Sequence, residues 1–144
     1  MVIPARFDGT QSFSEGLSAV LEQGLWGYID KKGKMVITPR FDAADIFSEG
    51  LAAIQIQDKW GYIDKKGQPV IQAQFILVGR FSEGLAPVQI EDKYGYVDKT
   101  GDIVISPQFH YASSFSKGMA RVRIGNRWFD IDKAGKEVED YPRK

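Results

Sequence analysis

The apolar positions of the chain fall in short runs separated by polar turn residues, a pattern that predicts β-strands. The run at 51–57 (Leu-Ala-Ala-Ile-Gln-Ile-Gln) ends in the polar pair at 58–59, and Trp-Gly-Tyr-Ile-Asp follows at 60–64. A polar pair between two such runs is typical of a β-hairpin. The stretches between glycines are short and rich in β-branched residues, so no long helix is expected.

A second turn and a third strand follow this hairpin. The turn is Asp64-Lys65-Lys66-Gly67, in which the aspartate can accept hydrogen bonds from the nearby backbone and the glycine can adopt a left-handed conformation. The β-branched pair Val70-Ile71 predicts the third strand. The connection after Phe41, through Ser48, is predicted to form one short helical turn. The unit thus consists of about three short antiparallel strands.

This unit occurs four times with a constant period of 34 residues. Phe-Ser-Glu-Gly-Leu begins at 13, 47 and 81 and returns as Phe-Ser-Lys-Gly-Met at 115; Trp-Gly-Tyr-Ile-Asp begins at 26 and 60, with variants at 94 and 128. No insertion interrupts the period. We therefore expect one all-β domain over residues 1–144, with units at about 13–46, 47–80, 81–114 and 115–144 and an N-terminal strand at 2–7 from a partial unit.

Both faces of such a unit are apolar, which favours an open, elongated stack of units. Alternation places Trp60 and Tyr62 on one side of their strand, and Gly61 and Ile63 on the other. Stacked neighbours cover both sides. The glycine that recurs at positions 27, 61 and 95, which we call the glycine column, also permits close approach of a neighbouring backbone. The alternative is a small closed β-propeller or barrel, in which the N-terminal strand completes the last unit. Phe129 and Asp130, which replace the glycine and the tyrosine in the fourth copy, favour the open stack.

The charge balance and the absence of cysteine exclude several classes of protein. The chain has 19 Lys and Arg against 19 Asp and Glu, so it lacks the basic excess of a nucleic-acid binder. It has no cysteine, which removes disulfides and thiolate chemistry but leaves the compartment open. No signal peptide is visible, and no apolar run approaches the roughly 20 residues that span a bilayer. We expect no nucleic-acid partner and no membrane insertion.

The polar residues predict no catalytic site, no metal site and no cofactor. The repeated aspartates (30, 64, 98, 132) and glutamates (15, 49, 83) lie in turns, where hydrogen bonding to the backbone is their expected role. The glutamate column becomes Lys117 in the fourth copy, which a catalytic role would not tolerate. His110 is the only histidine and stands where Asp8 and Asp42 stand in other copies. No nucleotide-binding fingerprint or calcium loop occurs. The sequence therefore predicts a protein that is not an enzyme.

The repeated aromatic residues are the candidate ligand-binding positions. Their flat faces could stack on sugar rings or on side chains of a partner. The competing interpretation is packing between units, which recurrence in every unit favours. The candidates are Trp26, Tyr28, Trp60, Tyr62, Tyr94, Tyr96 and Trp128.

The whole chain resembles the WG-containing repeat, or KWG repeat, of mainly bacterial proteins. The residues that carry the resemblance are Asp58 to Gly67, Val70-Ile71, Phe75 and Phe81 to Ala86, repeated in register. The resemblance implies an all-β repeat module without an activity or catalytic motif of its own, and it leans towards exported or surface-associated proteins. We expect a non-enzymatic module that contacts a protein partner or its own copies. The alternative is a carbohydrate-binding module that uses the aromatic ladder.

Overall fold

The chain forms four antiparallel β-sheets that follow one another along the sequence, in a computed structural model that describes residues 7–138. Sheet 1 contains β1 (Gly9–Thr10), β2 (Leu17–Glu22), β3 (Leu25–Asp30) and β4 (Met35–Phe41). Sheet 2 contains β5 (Ala43–Ser48), β6 (Leu51–Ile56), β7 (Lys59–Ile63) and β8 (Pro69–Phe75). Sheet 3 contains β9 (Leu77–Val78), β10 (Leu85–Ile90), β11 (Lys93–Asp98) and β12 (Ile103–Phe109), and sheet 4 contains β13 (Tyr111–Ala112), β14 (Ala120–Ile124) and β15 (Arg127–Ile131).

The predicted all-β repeat architecture and its open arrangement are confirmed. Within residues 7–138 the sheets form no closed barrel and no helix occurs. The short helical turn expected after Phe41 is wrong, because this segment is β5, which pairs with β6 and has one register irregularity between Ala44 and Phe47. Strand pairing satisfies backbone groups that a single helical turn would leave open. The predicted strand at 2–7 and residues 139–144 fall outside the described part, apart from Phe7. The unit boundaries remain a prediction.

A tight turn precedes β2, β6, β10 and β14, and a second one precedes the last strand of sheets 1, 2 and 3. Before β2, the turn Glu15-Gly16 has φ values of 53° and 85° at its two central residues, which is the left-handed geometry of a two-residue hairpin loop. The same turn recurs at Glu49-Gly50, Glu83-Gly84 and Lys117-Gly118. Glycine at the second position adopts this conformation without the steric cost of a Cβ atom. The predicted aspartate turns, which begin at 30, 64 and 98, join β3 to β4, β7 to β8 and β11 to β12.

The glycine of each Trp-Gly or Tyr-Gly pair lies beneath the last strand of its own sheet, which is β4, β8 or β12. The register between β7 and β8 jumps from Trp60↔Phe75 to Tyr62↔Ile71, so β8 bulges over the glycine between them. A Cβ atom at Gly61 would lie 2.5 Å from the Ile71 carbonyl oxygen. The backbone that approaches the glycine is thus in the same sheet, and not in a neighbouring unit as the sequence suggested. Gly27 and Gly95 have the same environment.

Among the described residues, sheet 4 has no strand equivalent to β4, β8 and β12. This leaves space for Phe129 at the position that is glycine in the other repeats. The Phe129 ring packs towards sheet 3, with its centroid 6.4 Å from that of Phe109. The side chain therefore fills space between sheets 3 and 4. It does not cover the far side of the last unit.

The hydrophobic core consists of three layers, one between each pair of adjacent sheets. In sheet 2, Ala52 and Ile54 pack into the layer shared with sheet 1, whereas Leu51 and Ala53 pack into the layer shared with sheet 3. Both faces of the sheet are therefore buried, as the alternation predicted. The third layer joins sheets 3 and 4 in the same way.

We predict that Gly61→Ala lowers the free energy of unfolding by about 3 kcal/mol, because the new Cβ atom would overlap the backbone of β8. Chemical denaturation measures the effect. Gly9→Ala is the matched control, since its Cβ atom would have no neighbour closer than 3.4 Å and its φ is not left-handed. Equal stability of the two variants would contradict the conclusion that glycine is required at this position by the close approach of the last strand.

Candidate functional site

Three of the seven predicted ligand-binding residues, namely Tyr28, Tyr62 and Tyr96, are buried between sheets. Each hydroxyl donates a hydrogen bond to a backbone carbonyl of the following sheet. The acceptors are Asp45, Gly79 and Ser113, at 2.7, 2.6 and 2.5 Å respectively. Burial raises the pKa of all three hydroxyls well above its ordinary value. These rings present no face to a ligand.

The same tyrosines contact the phenylalanines of the next repeat edge to face. The centroid distances are 5.0 Å for Tyr28–Phe47, 4.7 Å for Tyr62–Phe81 and 4.9 Å for Tyr96–Phe115. This geometry is favourable for aromatic pairs in a protein core. The column therefore packs repeat against repeat, which is the competing interpretation given above.

The other four candidates lie at the edges of the layers between sheets. Trp26, Trp60 and Tyr94 are partly buried against these layers, whereas Trp128 on sheet 4 is 50% exposed. No sheet covers Trp128 in the described part of the chain. Exposure along this column is therefore greatest at its C-terminal end.

Tyr111 connects the last two members of this column. Its ring centroid lies 6.1 Å from that of Tyr94 and 5.6 Å from that of Trp128, and it is 41% exposed. We call Tyr94, Tyr111 and Trp128 the exposed aromatic row. The sequence analysis missed Tyr111 because its column is variable, with glycine, alanine and leucine at the corresponding positions 9, 43 and 77.

A shallow groove of about 290 Å³ lies beside this row, between sheets 3 and 4. Leu77, Pro87, Tyr94 and Tyr111 contribute apolar surface to it, and Leu77 is 48% exposed. Ser113 and Ser114 are the hydroxyl side chains that line it, and no carboxylate does so. The groove suits an apolar group with few hydrogen-bonding requirements.

The C-terminal part of the described chain carries an excess of positive charge. Residues 111–138 contain six Lys and Arg against three Asp and Glu, whereas residues 7–110 contain ten against fourteen. The Arg123 guanidinium lies 5.7 Å from the Trp128 ring centroid, within the range of a cation–π contact. Arg121 pairs instead with Asp130, at 2.9 Å. Sheet 4 is therefore the basic end of an otherwise slightly acidic stack.

Comparisons with known proteins agree with this architecture. The model of the WG-containing repeat matches four times, over residues 1–26, 26–60, 60–94 and 94–128. The chain belongs to the WG-containing repeat family. The Trp-Gly pair that gives the family its name is the pair seen here, with the tryptophan at the edge of a layer between sheets and the glycine beneath the last strand of its sheet.

Comparison with curated proteins and solved structures adds little about function. No curated protein matches the chain. One solved structure that matches the chain is a plant lectin with two metal-binding sites from Cicer arietinum, at 11% identity and a TM-score of 0.39, over 96% of this chain and 91% of that chain. This likeness is too low to bear on what the WG repeats bind.

The aspartate turns of the WG repeats have the predicted structural role. In each copy one carboxylate oxygen accepts hydrogen bonds from the backbone N–H groups two and four residues further on, at 2.9 to 3.1 Å. His110 replaces Asp8 and Asp42 in a comparable way: its Nδ1 accepts a hydrogen bond from the Gly125 N–H at 2.8 Å. These polar side chains stabilise turns.

The glutamate column links each WG repeat to the next, which the sequence did not indicate. The Glu49 carboxylate accepts hydrogen bonds from the N–H groups of Glu83 and Gly84, at 2.6 and 2.9 Å, and lies 3.6 Å from Lys99 Nζ. Glu83 does the same with Lys117, Gly118 and Lys133. Glu15 accepts from Gly50 N–H at 2.9 Å and lies 3.4 Å from Lys65 Nζ. We call these three contacts the glutamate links.

The links of Glu49 and Glu83 favour the ionised carboxylate. For Glu49, burial acts to raise the pKa, but the N–H groups of Gly84 and Glu83 and the charge of Lys99 outweigh it, so the pKa is lowered. For Glu83, the hydrogen bond from Gly118 is the main cause of a lowered pKa. The described residues contain no cluster of side chains that could hold a metal ion. Among them there is also no helix long and apolar enough to cross a membrane.

We predict that acid weakens the stack through these links. Because the folded pKa values of Glu49 and Glu83 lie below the unfolded ones, their stabilisation is present above the unfolded pKa and is lost as the pH falls through the folded pKa. Glu49→Gln should therefore be less stable than the native protein at neutral pH, and this difference should shrink below about pH 4.

Denaturant unfolding across this pH range measures the difference. Glu91→Gln is the matched control, because Gln23 and Gln57 occupy the corresponding left-handed position in other repeats. A difference between Glu49→Gln and the native protein that stays constant with pH would contradict the electrostatic role of the links.

Proposed function

We propose that this protein is a non-enzymatic interaction module that presents a surface for protein–protein contact or self-association. The observation that carries the proposal is the exposed aromatic row beside the groove between sheets 3 and 4. Trp128 and Tyr111 are 50% and 41% exposed although the equivalent ring of Trp26 is partly covered by its neighbours. Aromatic side chains left in water next to a concave surface favour association.

The composition of this surface supports contact with a protein. Tryptophan, tyrosine and arginine dominate the binding energy of protein interfaces, and all three meet here in Trp128, Tyr111 and Arg123. The excess of basic residues on sheet 4 favours an acidic partner surface. The more acidic sheets of a second copy would also satisfy this requirement.

The use of the polar side chains supports a role without catalysis. The turn aspartates, the linking glutamates and His110 each accept hydrogen bonds from backbone N–H groups, so these carboxylates and this imidazole have structural partners. The same polar residues also recur in the turns of the repeats, so they do not form one distinct group of acid, base and nucleophile as a catalytic site would.

Carbohydrate binding is the second candidate, because the faces of Tyr111 and Trp128 are close enough to stack on adjacent sugar rings. The candidate set from the sequence contracts to Trp26, Trp60, Tyr94 and Trp128, since the other three tyrosines are buried. The groove has two serine hydroxyls and no carboxylate to bind sugar hydroxyls, which favours the protein partner.

We predict that Trp128→Ala weakens self-association by about 2 kcal/mol, or roughly thirtyfold, because it removes the most exposed ring of the row. Sedimentation velocity over a wide concentration range measures the effect. Leu25→Ala is the control, since Leu25 is an exposed apolar residue on sheet 1, far along the chain from the row.

Association that Trp128→Ala and Tyr111→Ala both leave unchanged would contradict a role of the row. A native protein that stays monomeric, with Trp128 fluorescence that shifts on addition of oligosaccharides, would instead support the carbohydrate-binding function.

A further inference from the structure

The three glutamate links show what the turn of a WG repeat can bind. In sheets 3 and 4 the receptor consists of two consecutive backbone N–H groups at the hairpin turn and one lysine from the following aspartate turn. The ligand is the carboxylate of a glutamate, itself at the same type of turn in the preceding sheet. Two N–H groups that point to one side and a nearby ammonium group are a typical site for an anion.

The first repeat contains the same receptor. The turn at Glu15-Gly16 has φ values of 53° and 85°, against 56° and 84° for the occupied turn at Glu83-Gly84. It is closed by the same pair of backbone hydrogen bonds between its flanking residues, Ser14 and Leu17, at 2.8 and 3.1 Å. Lys31 occupies the position of the receptor lysines 65, 99 and 133.

This first receptor holds no carboxylate from any residue in 7–138. Within that range the N–H groups of Glu15 and Gly16 and the ammonium group of Lys31 have no acceptor. Glu15 and Lys31 are exposed, so the turn and the lysine of this receptor lie at the protein surface.

We propose that the Glu15-Gly16 turn and Lys31 form a carboxylate-binding site that docks a glutamate carried on a hairpin turn of a partner protein. The three occupied receptors support this proposal, because each has the same left-handed turn and binds a glutamate that is presented by a hairpin, through two N–H groups at Glu83-Gly84 and Lys117-Gly118 and through one at Gly50. The site is separate from the exposed aromatic row, which lies on sheets 3 and 4, and it does not depend on the function proposed for that row.

End-to-end stacking of a second copy does not supply the required carboxylate. Its three linking glutamates are engaged within its own stack, and the fourth repeat has Lys117 at this position. Lys117 would face Lys31 with the same charge. The outer side of sheet 4 also carries the Arg121–Asp130 ion pair, where sheet 2 has Ala53 opposite Tyr62. End-to-end stacking of copies is therefore disfavoured, and the proposed occupant is a partner polypeptide with an accessible glutamate turn.

The probe for this site is a cyclic hairpin peptide that carries Phe-Ser-Glu-Gly-Leu in its turn, added to the ¹⁵N-labelled full chain in a buffer without carboxylates. We expect the amide resonances of Glu15 and Gly16 to move downfield and to saturate, because a carboxylate deshields the N–H protons that it binds. The same peptide with glutamine in place of glutamate should bind about tenfold more weakly, which corresponds to about 1.4 kcal/mol.

Two variants of the chain complete the test. Lys31→Gln should weaken binding of the glutamate peptide several-fold, whereas Lys32→Gln, at the neighbouring exposed lysine, should not. Trp128→Ala should leave the titration unchanged, which separates this site from the aromatic row. Unlabelled Lys117→Glu protein added to the labelled native chain should shift the same two amides, whereas unlabelled Lys117→Gln protein should not.

The proposal is overturned if the Glu15 and Gly16 amides do not move with the glutamate peptide. It is also overturned if the glutamine peptide moves them equally, or if Lys31→Gln and Lys32→Gln have the same effect.

Discussion

Sheets 2 and 3 of this protein have two apolar faces each, and the burial of both faces is the constraint on which the rest of the structure depends. A strand such as β6 buries alternate residues on opposite sides, so one sheet cannot satisfy both sides by itself. The neighbouring repeat covers each face in turn, and the Tyr–Phe pairs mark the centre of each layer. The tyrosine hydroxyls, which could be buried only with a partner, reach the backbone of the next sheet. Stability therefore depends on the contacts between repeats.

The local features of the WG repeat serve this stacking. The glycine lets the last strand of a sheet cross closely over the strand before it. The isoleucine and the phenylalanine of that last strand then lie in the layer towards the next sheet. The glutamate links and the hydrogen bonds from Ser14, Ser48 and Ser82 to the next repeat hold adjacent turns in register at the edge of each layer. Where the pattern changes in the fourth repeat, to Lys117 and the Arg121–Asp130 pair, the outer side becomes charged.

The sequence predicted the features that depend on nearby residues. The period, the hairpins and the aspartate turns follow from spacing and turn chemistry, and the apolar alternation predicted that both faces would be covered. The segment after Phe41 was misjudged as a helical turn because its pairing with β6 is a tertiary contact that its own residues do not reveal. The hydrogen bonds of the glutamate links join residues that are 34 or 35 positions apart, and Tyr111 stands at a position that is not aromatic in the other repeats. Spacing alone indicates neither.

In this stack the residues that hold the sheets together differ from those of the two proposed binding surfaces. The residues that recur in every repeat hold the sheets together, whereas the proposed surfaces lie at Trp128 and at the first turn. The most direct test of the stacking account is amide hydrogen exchange in Tyr62→Leu, because Tyr62 belongs to sheet 2 but lies in the layer shared with sheet 3. The account predicts that the amides of sheets 2 and 3 lose protection to a similar extent. Loss of protection confined to sheet 2 would contradict it.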